Sequence, residues 1–350
     1  MIKTIFETIR MIGIKMFHHS LCPLFFVLLF CSSSCYSDIV STADDLINLF
    51  NSATGGALTI DIELLNDLDF SETNLTLPLG AFPNGTCLAF SGVLQGNGHL
   101  IKNLRMDNLD KRYNNAGLFC SLKDATVENL IIDSSCSFTG DYTGALSVSL
   151  KGSLSAINIT NKAVVHGYID GTGGFIGNVD HLKQGTVLFD NCINDGMITG
   201  EFYTGGFVGI ISFNTNISMI ISNSTNDGTV TGVDCFIGGF VGSFESNTNM
   251  TMAILGSRNN GNVNGFESVG GFVGYFFIAD IDVTMNIASS TNNGNVTGRT
   301  HDVGGFIGSF FGVGKSNPDM IIYNSTNNGN ITGKSGDVGG FFGSIELSEN

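Results

Sequence analysis

Two short motifs recur in step along the second half of the chain, and this double period constrains the fold more than any other feature. GGFIG, GGFVG or a close variant begins at Gly173, Gly205, Gly238, Gly270, Gly304 and Gly339, at intervals of 32, 33, 32, 34 and 35 residues. N-[DN]-G-x-[IV]-[TN]-G begins at Asn194, Asn226, Asn259, Asn292 and Asn327, at intervals of 32, 33, 33 and 35. A period of this length marks an array of units, none of which buries its apolar face alone, so neighbours must stack. Degenerate copies at Ala116, Thr143 and Asn161 carry the array upstream.

Inside each repeat the apolar residues fall into columns. Val187, Met219, Met252, Met285 and Met320 share one position, and Phe189, Ile221, Ile254, Ile287 and Ile322 lie two residues further on. That period-two alternation reads as a strand. The glycine motif adds Phe175, Phe207, Phe240, Phe272, Phe306 and Phe341. Like side chains in register fill the interior of a coil stacked about 4.8 Å above the last. With 47 Gly, 4 Pro and 42% apolar residues, the chain is too apolar for disorder and too rich in glycine for a helical bundle. The expectation is an all-β, right-handed parallel β-helix. G-G and N-x-G should mark its corners, and Asn191, Asn223 and Asn324 are candidates for hydrogen-bonded ladders there. The segment between the glycine motif and the Met column varies most; Ser243 to Thr251 and Gly308 to Asp319 differ in length and polarity. Such insertions become loops on one side of a solenoid, where the binding face is expected.

The first 37 residues read as a signal peptide. The apolar run from Leu21 to Cys31 is too short to span a bilayer, Lys3, Arg10 and Lys15 precede it, and small residues before Asp38 suit cleavage there. Met16 is a second candidate start. No later segment approaches the roughly 20 apolar residues of a transmembrane helix. Localisation is therefore expected to be secreted or extracellular surface. Of 15 basic and 31 acidic residues, the leader removes Lys3, Arg10, Lys15 and Glu7, leaving 12 against 30, a net charge of −18. That balance argues against nucleic acid and anionic membranes as partners. Nine N-x-S/T sequons, at Asn74, Asn84, Asn158, Asn216, Asn223, Asn249, Asn295, Asn324 and Asn330, are glycosylation candidates behind such a leader. Five cysteines remain, Cys87, Cys120, Cys136, Cys192 and Cys235. Cys87 with Cys120, Cys120 with Cys136, or buried free thiols are all compatible with that spacing.

Residues 38–110 form a distinct N-terminal section of cap and first coils, ahead of the repeats in 111–350. Ser41 and Asp44 resemble a capping box, Leu46, Leu49 and Phe50 make a short stripe, and Gly55-Gly56 can stop a helix. Such a helix would cover the open edge of the first coil. Phe90 to Leu104 reads F-x-G-x-x-x-G-N-G-H-x-I-x-N-L and resembles the opening of many pectate-lyase-like β-helix proteins. Together with Gly117 to Cys120, Val127 to Leu130 and the repeats, the chain from about residue 60 resembles GLUG-motif repeat proteins. It departs from the common form in carrying Phe for Leu in the glycine motif and in its many sequons. The resemblance implies an adhesin-like surface protein with a β-helical shaft.

An enzyme on such a scaffold needs clustered carboxylates with a base. Asp195 and Asp227 share a position on neighbouring coils, but Asn260, Asn293 and Asn328 follow them, as turn chemistry predicts. The six histidines are scattered and show no ligand spacing; His99 reads as part of a turn. No catalytic, cofactor-binding or metal-ligating residue is singled out, and no cofactor is expected. The favoured reading is an adhesin-like or structural repeat protein binding an extracellular protein or glycan; the alternative is a polysaccharide lyase or hydrolase.

Overall fold

A computed structural model describes residues 37–53, 55–107, 114–245, 247–278, 283–313 and 319–348. The expected leader lies outside these residues except for Ser37, which opens the first strand, Ser37–Val40. Ser37–Asn350 forms one compact unit.

The expected parallel β-helix is what the chain builds. Each coil of the repeat region gives one short strand to each of five sheets, which hold 10, 9, 8, 7 and 10 strands, and neighbouring strands pair in parallel. The register is the one the columns require. Val187 pairs with Met219, then Met252, Met285 and Met320 follow in turn. Phe175, Phe207, Phe240, Phe272, Phe306 and Phe341 stack at centroid separations of 4.9, 4.7, 5.0, 4.8 and 5.0 Å. The interplanar angle is 52° in the first pair and 3° at Phe272–Phe306. The cause is Phe189, which wedges edge-on against Phe207 at 5.7 Å where later coils carry the slimmer Ile221, Ile254 and Ile287.

The two repeated motifs meet across the coil. The first Asn of each N-x-G motif, with the degenerate Asn161, forms an internal ladder that is buried through Asn292 and half-buried at Asn327: Asn161, Asn194, Asn226, Asn259, Asn292 and Asn327 pass Nδ2–H···Oδ1 bonds at 2.8, 2.7, 2.7, 2.7 and 2.8 Å. From Asn194 to Asn327 each ladder amide rests against the second Gly of the glycine motif. A Cβ on Gly206 would stand 2.7 Å from Asn226 Oδ1 and 2.1 Å from the Gly239 carbonyl oxygen. Glycine is needed there for close approach rather than for a left-handed backbone. The left-handed corner is instead occupied mainly by non-glycine residues, Asn129, Asn158, Asn191, Asn223, Ser289 and Asn324, with φ between 48° and 54°. Asn tolerates that conformation best after Gly. The candidates Asn191 and Asn223 bond along this outer corner to Asn158 and Asp190, at 3.3 and 2.9 Å, and Asn324 bonds to Ser289 at 3.1 Å. The continuous buried ladder lies three residues further on.

A helix, Ala43–Ser52, closes the N-terminal end. Its capping box is Thr42 with Asp45, one residue beyond the Ser41–Asp44 pair, and Ala53 rather than Gly55-Gly56 ends it. Ala43, Leu46 and Phe50 are its buried residues, and Phe50 meets Phe90 and Phe119 at 6.2 and 5.7 Å. Cys87 and Cys120, on successive coils, form a disulfide, whereas Cys136, Cys192 and Cys235 are free. The last coil carries a well-formed strand, Phe342–Ser348, paired with Ile307–Val313.

Candidate functional surfaces

The interior is committed to packing, so chemistry available to a partner lies outside. All nine sequon asparagines are exposed. Asn216 and Asn249 lie beside the bridged pair Thr215–Thr248 on adjacent coils, and the Asn249 amide donates to Asn216 Oδ1. Asn158 donates to Asn129 Oδ1 at 2.6 Å. Asn295 Oδ1 accepts the backbone N–H of Asn330 at 3.1 Å.

Of the variable segment between the glycine motif and the Met column, residues 246, 279–282 and 314–318 lie outside the described residues. In the coils of Leu182, Asn214 and Asn247 the chain turns there over a second buried amide ladder, in which Asn214 Oδ1 accepts from Leu182 N–H at 2.8 Å and Asn247 Oδ1 from Asn214 N–H at 2.9 Å. One cleft of about 480 Å³ opens on this side, lined by Asp124, Lys151, Ser153, His181 and Lys183 among others. Two lysines there stand out on so acidic a chain.

A second outward feature lies where the Thr204–Gly205, Cys235–Gly238 and Glu267–Gly270 strands meet the Val208–Ser212, Val241–Glu245 and Val273–Ile278 strands. Five half-buried aromatic rings run along it. Tyr203 stacks on Phe236 at 5.4 Å, Phe236 meets Tyr275 at 4.4 Å, Tyr275 meets Phe277 at 6.2 Å, and Phe277 stacks on Phe311 at 5.7 Å. Glu245 is half-buried beside this track, and burial lifts its carboxyl above the usual range. Burial first, then the Glu245 charge, push the Tyr203 and Tyr275 hydroxyls up to about 12. Beneath the rings, Ser243 Oγ is buried with no hydrogen-bond partner.

The carboxylate pair considered from sequence lies on the outer wall. Asp195 and Asp227 are exposed corner residues, and Asp227 Oδ1 accepts the Asn260 amide at 2.8 Å at the head of an outer Asn260–Asn293–Asn328 ladder. His99 lies 3.4 Å from Asp67 Oδ1, which also accepts the Leu100 N–H, and the Asp67 carboxyl falls below its ordinary range, chiefly through that backbone bond. Among the described residues the structure does gather one cluster the sequence reading missed, Glu267, His301 and Asp302. The separation of Glu267 and His301, 34 residues, equals the local motif interval from Gly270 to Gly304; reading polar residues modulo the coil length is the signal that finds it. Among the described residues no hydroxyl or thiol hydrogen-bonds to His301, so no nucleophile is paired with this imidazole there.

No family model matches the chain, and no curated protein matches it in sequence. Among solved structures, it is similar to a protein described as a "putative immunoglobulin A1 protease" from Bacteroides ovatus, with 16% identity over 86% of this chain and 84% of that chain and a TM-score of 0.48. Among the described residues no helix is long and apolar enough to cross a membrane.

Proposed function

We propose that the chain is a secreted or cell-surface glycoprotein of the adhesin-like kind implied by its resemblance to GLUG-motif repeat proteins, and that it acts by presenting a surface rather than by catalysis. The observation that carries this reading is the half-exposed aromatic track. A shaft needing only solubility gains nothing from five apolar rings in a row on its outer wall, whereas exposed apolar patches mark interaction sites on soluble proteins. The exposure of every sequon supports passage through a secretory pathway. An extracellular protein or glycan is the proposed partner class.

The test is binding of the purified, secreted protein to intact cells and to matrix polysaccharides, with polymer cleavage followed on the same samples. Saturable binding lost on replacing Phe236 and Tyr275 by Ser, without cleavage, is expected. Cleavage would instead favour a carbohydrate-active enzyme.

A further inference from the structure

The Glu267, His301 and Asp302 cluster gathers the donor set of a divalent-cation site. Pairing of Val269 with Val303 fixes the register of the two coils, which sets Glu267 against His301. The imidazole lies between the two carboxylates: Nε2 is 3.5 Å from Glu267 Oε2 and Nδ1 is 3.4 Å from Asp302 Oδ2. One ligand atom from each of the three lies within 4.8 Å of the others. The backbone on both sides is pinned, because Ser268 and Val269 donate to the carbonyls of His301 and Asp302 at 3.4 and 3.0 Å. On the next coil, Gly336 adopts φ of +81°, and a Cβ there would lie 2.4 Å from the His301 Cβ. A side chain at that position would collide with the histidine.

Charge balance is an independent argument. Asp234 and Cys235 precede the cluster by one coil, and Cys235 pairs in register with Glu267. Among the described residues the only Lys or Arg in an ion pair is Lys102, with Asp67. Among the described residues no Lys or Arg forms an ion pair with Glu267 or Asp302, and a single imidazole stands between them.

We propose that Glu267, His301 and Asp302 bind a first-row divalent cation of the zinc class, linking two adjacent coils. The nitrogen donor sets the choice: imidazole with carboxylates suits Zn²⁺, whereas Ca²⁺ and Mg²⁺ prefer oxygen donors alone. Ligand distances of about 2.0–2.2 Å to an ion on one ring nitrogen require the carboxylate now facing the other nitrogen to swing across, which side-chain exposures of 31% for Glu267, 47% for His301 and 15% for Asp302 allow. Three protein ligands leave a coordination position open to solvent, available to water or to a carboxylate or imidazole of another molecule. The site stands whether or not the aromatic track binds a partner.

The secreted protein is titrated with Zn²⁺ by calorimetry, and its histidine ring signals are followed by NMR. Four histidines lie beyond the leader, His99, His166, His181 and His301, so the readout is sparse. One ion per chain, perturbation of the His301 ring alone and a raised melting midpoint are expected. His301→Gln and Glu267→Gln should each weaken binding about tenfold or more, no less than loss of an outer partner costs at metal sites, while equimolar Ca²⁺ or Mg²⁺ should not compete. Unchanged zinc affinity in both variants, or zinc signals on other histidines only, would overturn the proposal. Circular dichroism of each variant separates loss of a ligand from loss of the fold.

Discussion

Replacing Asn259 with Ala tests whether the buried amide ladder holds the coils together. Asn259 is fully buried; its Nδ2 donates to Asn292 Oδ1 at 2.7 Å and to the Gly261 carbonyl at 3.0 Å, and its Oδ1 accepts from Asn226 Nδ2 at 2.7 Å. The substitution leaves Asn292 Oδ1 and the Gly261 oxygen without that donor in a dry interior, whereas Asn226 keeps its bond to Gly228. At about 1–3 kcal/mol for each of the two buried groups left unsatisfied, the cost is about 2–6 kcal/mol. Asn260, the next residue, is an internal control: it forms an equally regular ladder to Asp227 but is exposed, so Asn260→Ala should stay within about 0.5 kcal/mol. Solenoid coils interact with nearest neighbours and open locally, so a single global unfolding energy is a poor readout. Native-state hydrogen exchange resolves the effect by coil. Asn259→Ala should speed exchange on the order of 30-fold to 20,000-fold in the coils of Asn226, Asn259 and Asn292, with little change near the helix cap. Equal effects of the two substitutions would refute the reasoning, since one pattern of hydrogen bonds would then be worth the same wet or dry.

Four further outcomes are expected. Glu245 has a raised folded pKa because burial disfavours its charge, so its contribution to stability is full below the ordinary carboxylate value and is lost as pH rises through the folded value; Glu245→Gln should match the parent in acid and melt higher at neutral pH, and a gap opening in acid would contradict this. Phe272→Ala removes a fully buried ring stacked on both sides and should cost about 3–5 kcal/mol, read as local loss of exchange protection. Cys87→Ser with Cys120→Ser opens a 33-residue cross-link and should cost about 3–4 kcal/mol in the first coils, visible as a lower melting midpoint that reductant reproduces in the parent. Burial pushes the thiols of Cys136, Cys192 and Cys235 up to about 11, 12 and 12, so an alkylating agent at pH 8 should label none quickly in the native protein and all three after denaturation; rapid labelling of Cys235 would count against its burial.

The solenoid was legible because its interior is one-dimensional. Any side chain at the Met or Phe position must match the one a coil away, so the packing constraint is written as columns that the eye can align. Ladder chemistry was harder to place. Asn194 recurs in every following coil and Asn191 in most, with Gly256 and Ser289 replacing it in two, and the second Gly of the glycine motif marks which is inside: Gly206 leaves room for Asn226, while Asn223 on the left-handed corner faces water. The capping box slipped by one residue because Ser41-Thr42 and Asp44-Asp45 offer two overlapping pairs of the same chemistry, and burial of Ala43, Leu46 and Phe50 chooses between them.

Surface chemistry follows the same period but without the compulsion to repeat. An outer position need not match its neighbour above or below, so Cys235, Glu267, His301 and Gly336 succeed one another along one line of the wall. Residues 32 to 35 apart in sequence are thereby placed about 4.8 Å apart in space, and a site can assemble from residues that share no local motif. Tyr203, Phe236 and Tyr275 arise the same way, from two different sheets meeting at one crease. On this fold, regularity shows where the core is, and departures from it along an outer column show where to look for binding.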